Sequence, residues 1–405
     1  TQGSSKDYVY VAEYQNIETE EMGTPVISGD TIFYSEGTYN EETEVYTQTI
    51  QSVKIGETTP TVLPIEIDEN SYINSLSMDA EGNLLTVLNV NEGEGEDIKT
   101  SYFLKKYKTD GTEIASQDIT SFGDGMEYFY VQYVKTDAEG NIYLLAGEND
   151  IFILDKDGNQ KGKVKSENWV NSLMELPNGK VGISYWGNEG NYVLAEIDAA
   201  SNSLGKTYSN LPDSNNGFTK IDENTLLVLG GSAAYKYDMN AETYEEEINW
   251  INCDINGDYV QSVSVLEDGR LLAVYRDWSA EESKTELIYL TKKDAAEVTE
   301  KTTITYGALY IDQNVKQKVI EFNKTNEKYR IEVKEYASED WETGVTQMNN
   351  EIVSGSGPDI IDFSSGNGDI YIAKGIMEDL NPYIEAAGIK KENYVEKAFN
   401  AYAQG

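Results

Sequence analysis

Five residues in the last quarter of the chain have side chains suited to holding a sugar. The rings of Tyr310 and Trp341 can stack on a pyranose face, and Asp340, Ser365 and Asn367 can hydrogen-bond its hydroxyls. Each also has a purely structural use: Trp341 can open a helix packed on its own domain, and Ser364–Asn367 can cap the next helix. Two aromatic stretches, Tyr128–Tyr133 and Tyr185-Trp186, have the residue types of a carbohydrate groove, although alternation along a strand accounts for them equally. Other chemistries are poorly served. The absence of histidine removes Ser-His-Asp and Cys-His triads, His-ligated zinc and haem on His. Cys253, the one cysteine, has no His base and no second thiol, so it reads as a small apolar residue and excludes an intrachain disulfide. With 72 Asp and Glu, some carboxylate pair falls within glycosidase distance by chance, and sequence spacing does not say which. Asp155-Lys-Asp-Gly-Asn159 and Asp254-Ile-Asn-Gly-Asp258 have the alternating oxygens of half a calcium loop but lack its bidentate Glu. Hairpin turns use the same residues, so no metal and no cofactor is expected.

The elements that must carry these residues come in two textures. Over 405 residues the formal charge is -41, which repels nucleic acid. The 30 tyrosines and 11% aromatics argue against a disordered acidic chain. No apolar run approaches the ~18–20 residues that span a bilayer.

From Tyr8 to about Lys292, short alternating or apolar runs are separated by Gly, Asn and Asp turns, the pattern of an all-β domain. A turn-plus-strand unit recurs, as in Asp79-Ala-Glu-Gly-Asn-Leu-Leu-Thr-Val87, Asp137-Ala-Glu-Gly-Asn-Ile-Tyr-Leu-Leu145 and Leu266-Glu-Asp-Gly-Arg-Leu-Leu-Ala-Val274. Its turn residues are Gly29, Gly82, Gly140, Gly179, Asn224 and Gly269, separated by 53, 58, 39, 45 and 45 residues. A period of ~40–50 residues is that of a β-propeller with one four-stranded blade per unit. Six units predict about six blades over residues 1–292, and the two longer spacings leave room for a seventh. Tyr8–Tyr14 alternates well without a turn unit of its own and is expected to complete the last blade, because an open ring would expose a sheet edge.

Residues 293–301 read as a polar linker. After it, strand and helix patterns alternate: Thr302–Leu309, Asp312–Asn326, Tyr329–Tyr336, Trp341–Ser354, Asp359–Phe363, Gly368–Lys374 and Lys390–Ala403. Strands joined by helices at this spacing predict a parallel sheet with crossovers. Ligands of such sheets bind beyond the strand carboxyl ends, which is where the five candidate residues fall.

Several pieces of this segment occur together in one family: Ile304-Thr-Tyr-Gly-Ala308, Val315–Phe322, Ile331-Glu-Val333, Gly355-Ser-Gly-Pro-Asp-Ile-Ile-Asp362, and Tyr371–Ile384 with its Lys-Gly-Ile-Met-Glu-Asp-Leu. The segment resembles the amino-terminal part of the extracellular solute-binding proteins of ABC importers, the sugar-binding group similar to maltose-binding protein. That resemblance implies that residues 302–405 are the incomplete first part of a solute-binding lobe cut from a larger domain. It implies a bacterial cell-surface lipoprotein with its leader removed, although the lipid-bearing cysteine is not in this sequence. The implied partners are a sugar or oligosaccharide and a transporter permease, without nucleic acid, with membrane contact only through the lipid anchor, and with the protein itself a monomer.

The expected function is therefore a non-catalytic carbohydrate-binding component of an importer, with the propeller as an accessory domain for docking glycan or protein. Two other classes remain open at this point: a polysaccharide-cleaving propeller, glycosidase or lyase, and an adhesion or scaffold ring.

Overall fold

In a computed structural model the described residues are 7–390 apart from 20, 44, 70, 94–97, 127, 213–216, 279–284, 299–300, 338–339 and 364–367. The recurring turns are built by their own side chains. Asp79 Oδ1 accepts from the backbone N–H of Glu81 and Asn83 at 2.9 and 2.8 Å, and Gly82 takes φ 83°, a conformation most residues avoid. Asp137 does the same for Glu139 and Asn141, with Gly140 at φ 85°. Each turn reverses the chain between the first and second strands of a blade.

Among the described residues six four-stranded antiparallel sheets follow one another along the chain, the blades of a propeller. Blade one comprises Val26–Ser28, Thr31–Asn40, Val45–Lys54 and Thr61–Val62; blade two Ser71–Met78, Leu84–Glu92, Lys99–Tyr107 and Glu113–Asp118. Blade three comprises Val131–Thr136, Ile142–Ala146, Asp150–Leu154 and Gln160–Lys165; blade four Val170–Glu175, Val181–Trp186, Tyr192–Asp198 and Ser203–Tyr208. Blade five comprises Gly217–Lys220, Thr225–Leu229, Ala233–Asp238 and Thr243–Asn249. Blade six begins with Val260–Val265, Leu271–Arg276 and Thr285–Asp294.

Several second strands are continuous apolar runs because both their faces are covered by neighbouring blades; Ile142–Ala146 is buried at every residue. The blades pack through six successive cores, from Phe33 and Leu84 between blades one and two round to Ile32, Tyr34 and Leu272 between blades six and one. Side chains also stitch neighbouring inner strands: Thr136 Oγ1 donates to Met78 O at 3.0 Å and Thr219 Oγ1 to Val263 O at 2.5 Å.

The fourth strand of blade six is Tyr8–Asn16, paired from Tyr8 with Asp294 to Asn16 with Glu286. It is fastened sideways to blade five by one carboxylate. The Glu247 side chain, 1% exposed, accepts hydrogen bonds from the hydroxyls of Tyr8 at 2.5 Å and Tyr10 at 2.7 Å, and lies 3.0 Å from Lys236 Nζ and 3.5 Å from Lys292 Nζ. A carboxylate this buried is tolerated only when paired and hydrogen-bonded. Burial, and then the hydrogen bond and charge of Glu247, push both phenols well above their ordinary value.

The chain divides into two compact units, Thr1–Glu300 and Lys301–Gly405. The stretch expected as a linker from residue 293 still carries the strand to Asp294, because its partner extends to Tyr8; a 3-10 turn, Ala295–Glu297, follows. In the second unit Thr302–Ala308 is the centre of a three-stranded parallel sheet, between Tyr329–Glu335 and the short Ile360–Ile361. Helix α1 (Gln313–Thr325) and helix α2 (Trp341–Ser354) connect these strands, and two short helices, Gly368–Ala373 and Asn381–Ala386, follow. The expected strand Asp359–Phe363 is thus reduced to two paired residues, and the run Lys390–Ala403 lies, beyond Lys390, outside the described residues.

The local patterns of this unit have physical causes that do not require the solute-binding family. Gly355 is the left-handed cap of α2 at φ 78°, and Gly375 turns the chain after the next helix at φ 67°. Gly307 leaves room for Pro358, whose Cγ would lie 2.2 Å from any Cβ added there. These are local cap, turn and packing demands, so the residues that carried the resemblance report local backbone geometry.

Two outcomes test the ring closure. Glu247→Ala, which leaves Lys236, Lys292 and both phenols without their shared carboxylate, should destabilise the first unit by about 3 kcal/mol in urea denaturation, and an effect below ~0.5 kcal/mol would refute the fastening. Burial also raises the phenols of Tyr14, Tyr143 and Tyr237 above 10.0. Groups raised in the folded state contribute their full stability below the unfolded value and lose it as pH climbs towards the folded one. Stability should therefore fall steadily above pH ~10, with tyrosinate absorbance of the buried rings appearing together with unfolding and not before it.

Candidate functional site

The five sugar-binding candidates of the second unit are only partly brought together. Tyr310 and Trp341, 57% and 45% exposed, stack on each other with ring centroids 5.7 Å apart and planes at 28°, so each covers one face of the other. Asp340 caps α2, its carboxylate accepting from Thr343 N at 2.7 Å, and its hydrogen bonds to Thr343 hold its pKa below the ordinary carboxylate range. Ser365 and Asn367 lie outside the described residues. The half calcium loop Asp155–Asn159 is a hairpin turn in which Asp155 Oδ1 accepts from the N–H groups of Asp157 and Asn159, both at 2.9 Å.

A better-formed site lies on the axis of the propeller. The inner strands of blades two to six, and in blade one the residues Glu21–Pro25 ahead of its inner strand, surround a cavity of about 690 Å³, within the usual size of ligand pockets. In four blades the inner strand carries a β-bulge near its start. The register shifts between Ile73 and Ser75, Val131 and Tyr133, Val170 and Ser172, and Val260 and Ser262. The extra residues are Asn74, Gln132, Asn171 and Gln261, and all four line the cavity. A bulge takes a residue out of the ladder and re-aims its side chain, and bulges concentrate at barrel rims and active sites.

Each of these amides precedes its turn glycine by eight residues: Asn74 before Gly82, Gln132 before Gly140, Asn171 before Gly179 and Gln261 before Gly269. At the same offset blade one has Glu21, also in the lining, and blade five has Asn216, which lies outside the described residues. Glu21 is held 3.6 Å from Arg276 Nη1 and 3.4 Å from the Tyr46 hydroxyl. An aromatic and an aliphatic residue precede each bulge amide, as Tyr72-Ile73, Tyr130-Val131, Trp169-Val170 and Tyr259-Val260. This recurring aromatic–aliphatic–amide triplet is the sequence signal of the bulge, separate from the turn unit.

Exposed aromatics gather at the same end of the blades. Tyr128, Tyr130 and Trp169 precede inner strands, while Tyr39, Trp186 and Trp278 lie at or just beyond the far ends of second strands, which antiparallel pairing places beside the inner-strand starts. Trp186 packs edge-on against Tyr192 at 4.7 Å, and the Arg276 guanidinium sits 3.9 Å from the Trp278 ring centroid. The expected aromatic stretches thus split. Tyr128, Tyr130 and Trp186 stand on the rim, whereas Tyr133 and Tyr185 pack against the core between blades three and four. The opposite ends of the inner strands carry Lys135, Glu175 and Lys220 in the lining.

No protein-family model matches the chain, and no curated protein matches it. Solved structures with a propeller-like fold do. Apo AztD from Citrobacter koseri is 11% identical at a TM-score of 0.34, covering 56% of this chain and 59% of that one, so the chain spans less than two thirds of its length. A protein of unknown function from Dyadobacter fermentans DSM 18053 is 13% identical at a TM-score of 0.48, covering 71% of this chain and 100% of that one. YCF48 bound to D1 peptide is 12% identical at 0.41, covering 69% and 96%. The expected membership in the solute-binding family is thereby corrected: no family model supports it, the larger unit is a six-blade propeller, and the motifs behind it are turn and cap residues of a small parallel sheet.

The rim and the buried core make opposite predictions for tryptophan. Trp250, 1% exposed with Nε1 donating to Gly230 O at 2.8 Å, should cost about 4 kcal/mol when changed to Ala. Trp169→Ala and Trp278→Ala should each change stability by less than about 1 kcal/mol, because their rings do not fill a core. Chemical denaturation of the three variants decides it, and a large loss at Trp169 or Trp278 would make the rim aromatics structural.

Proposed function

We propose that this protein is a non-catalytic glycan-binding propeller acting outside the cytoplasm, with an uncharged oligo- or polysaccharide as its ligand. The carrying observation is that three exposed tryptophans, Trp169, Trp186 and Trp278, stand with exposed tyrosines at the end of the propeller where the amides line the channel mouth. Exposed flat rings stack on sugar faces, and carboxamides, being both donors and acceptors, match hydroxyls that are the same.

The charge of -41 disfavours polyanions such as nucleic acids and uronic-acid polymers, which leaves neutral glycans. Structural neutral glycans of walls and matrices are met outside the cytoplasm, and the localisation is part of the same proposal. Two carboxylates of the lining, Glu21 and Glu175, sit at opposite ends of the inner strands, and Glu21 is engaged by Arg276. Hydrolysis of a glycosidic bond needs two carboxylates flanking that bond, which favours binding over cleavage. The importer role rested on the solute-binding resemblance and is not part of the proposal.

A glycan array probed with the full chain should light up on neutral glycans and stay blank on polyuronates. The triple variant Trp169→Ala, Trp186→Ala, Trp278→Ala should lose roughly tenfold or more in affinity. A blank array, or a triple variant that binds as the parent does, would remove this reading.

A further inference from the structure

We infer that the ring of bulge amides, Asn74, Gln132, Asn171 and Gln261, is a subsite for the terminal residue of the glycan chain, which enters the propeller channel end-on. The inference rests on the glycan-binding reading above and adds to it which part of the polymer is recognised and by which atoms.

The repetition is the first reason. A β-bulge recurs at one position of the inner strand in four blades, and in each the extra residue is an amide eight residues before the turn glycine. Packing alone does not ask for an amide: the bulge positions face the cavity, where a serine or alanine would serve the ladder equally. Nor does solvation alone, in a chain whose polar surface is mostly acidic.

Hydrogen bonding is the second. Gln132 Nε2 donates to Gly147 O at 2.5 Å and to the Tyr130 hydroxyl at 3.2 Å, and Gln261 Nε2 to Tyr259 O at 3.2 Å, which orients each carboxamide while leaving the Oε1 acceptor of both and one N–H of Gln261 for another partner. Asn74 Nδ2 and Ser262 Oγ, both on residues of the lining, are buried with no hydrogen-bond partner among the described residues. Buried polar atoms without partners are uncommon in native proteins and call for an explanation. A small carboxamide rotation would present Asn74 to a hydroxylated group in the channel.

Geometry supplies the direction of entry. The amides line the mouth of a cavity closed round by six blades, and an interior residue of a polymer, which continues in both directions, cannot enter that cavity. A chain end can. The following residues would then pass the rim, where Tyr130 and Trp169 stand two positions before Gln132 and Asn171. Around the mouth Glu21 is the one described ring member that is not an amide, and its pairing with Arg276 keeps the site close to neutral, as an uncharged sugar requires.

The test is calorimetric titration of the full chain with neutral hexasaccharides (cello-, xylo-, manno- and maltohexaose) and their parent polymers. The parent protein is compared with the variant Asn74→Ala, Gln132→Ala, Asn171→Ala, Gln261→Ala and with the triple tryptophan variant. For the sugar that binds, the amide variant should lose roughly tenfold or more in affinity, and affinity counted per chain end should be the same for hexasaccharide and polymer. Melting temperature reports whether the amide variant is folded; if it is not, Asn171→Ala and Gln261→Ala, both at exposed residues, carry the comparison singly. Undiminished binding by the amide variants, or affinity that scales with sugar residues and not with ends, overturns the end-on subsite while a loss in the tryptophan variant still upholds glycan binding. Failure of the parent protein to bind any of the four sugars overturns both.

Discussion

The propeller stands on closure of its ring. Each blade is a sheet with two faces to cover, and each face is covered by the next blade, so the six cores form a cycle in which no interface is terminal. The cycle is joined by Tyr8–Asn16, which comes from the start of the chain and lies beside the strand ending at Asp294. Without that strand the sixth blade would show an open edge to solvent. Glu247 adds a sideways link from blade five to the closing strand, trading the desolvation of a carboxylate for two phenolic and two ammonium contacts.

Closure also creates the site. Six inner strands around one axis cannot fill their common centre, and the space that remains is lined by whatever the starts of those strands present. Regular pairing would keep alternate residues in the blade interfaces. The bulge breaks that alternation once per strand and turns Asn74, Gln132, Asn171 and Gln261 towards the channel. Aromatics at the same end of the blades stay exposed on the rim. The proposal of a neutral, hydroxyl-rich ligand rests on this combination of stacking faces on the rim and ambident amides at the mouth.

The second unit shows how a fold marker can pass for a family marker. Gly355, Gly375, Gly307 and Pro358 occupy places where backbone geometry admits little else, and they recur wherever a helix must return to a parallel strand. Combined with an apolar strand and a following Leu and Pro, they read as one family's signature. In the structure they serve a sheet of three short strands, with Asp340 capping α2 and Tyr310 stacked on Trp341.

By itself the sequence determined the β character of the first unit, its repeat length and its turns, because those depend on contacts a few residues apart: an Asp side chain reaching back to its own loop, a glycine at positive φ, alternation that sets which face is buried. It also determined the helices α1 and α2, whose apolar spacing is local. The blade count could be read to within one, since a long loop between repeats looks the same as a degenerate blade. Only the tertiary structure decided which residues meet on the axis. Asn74 and Gln261 are far apart along the chain, and nothing between them records that the ring brings both to one channel. The triplet that marks them was present in the sequence, but its meaning depends on a bulge, and a bulge is a property of two paired strands that neither strand carries alone.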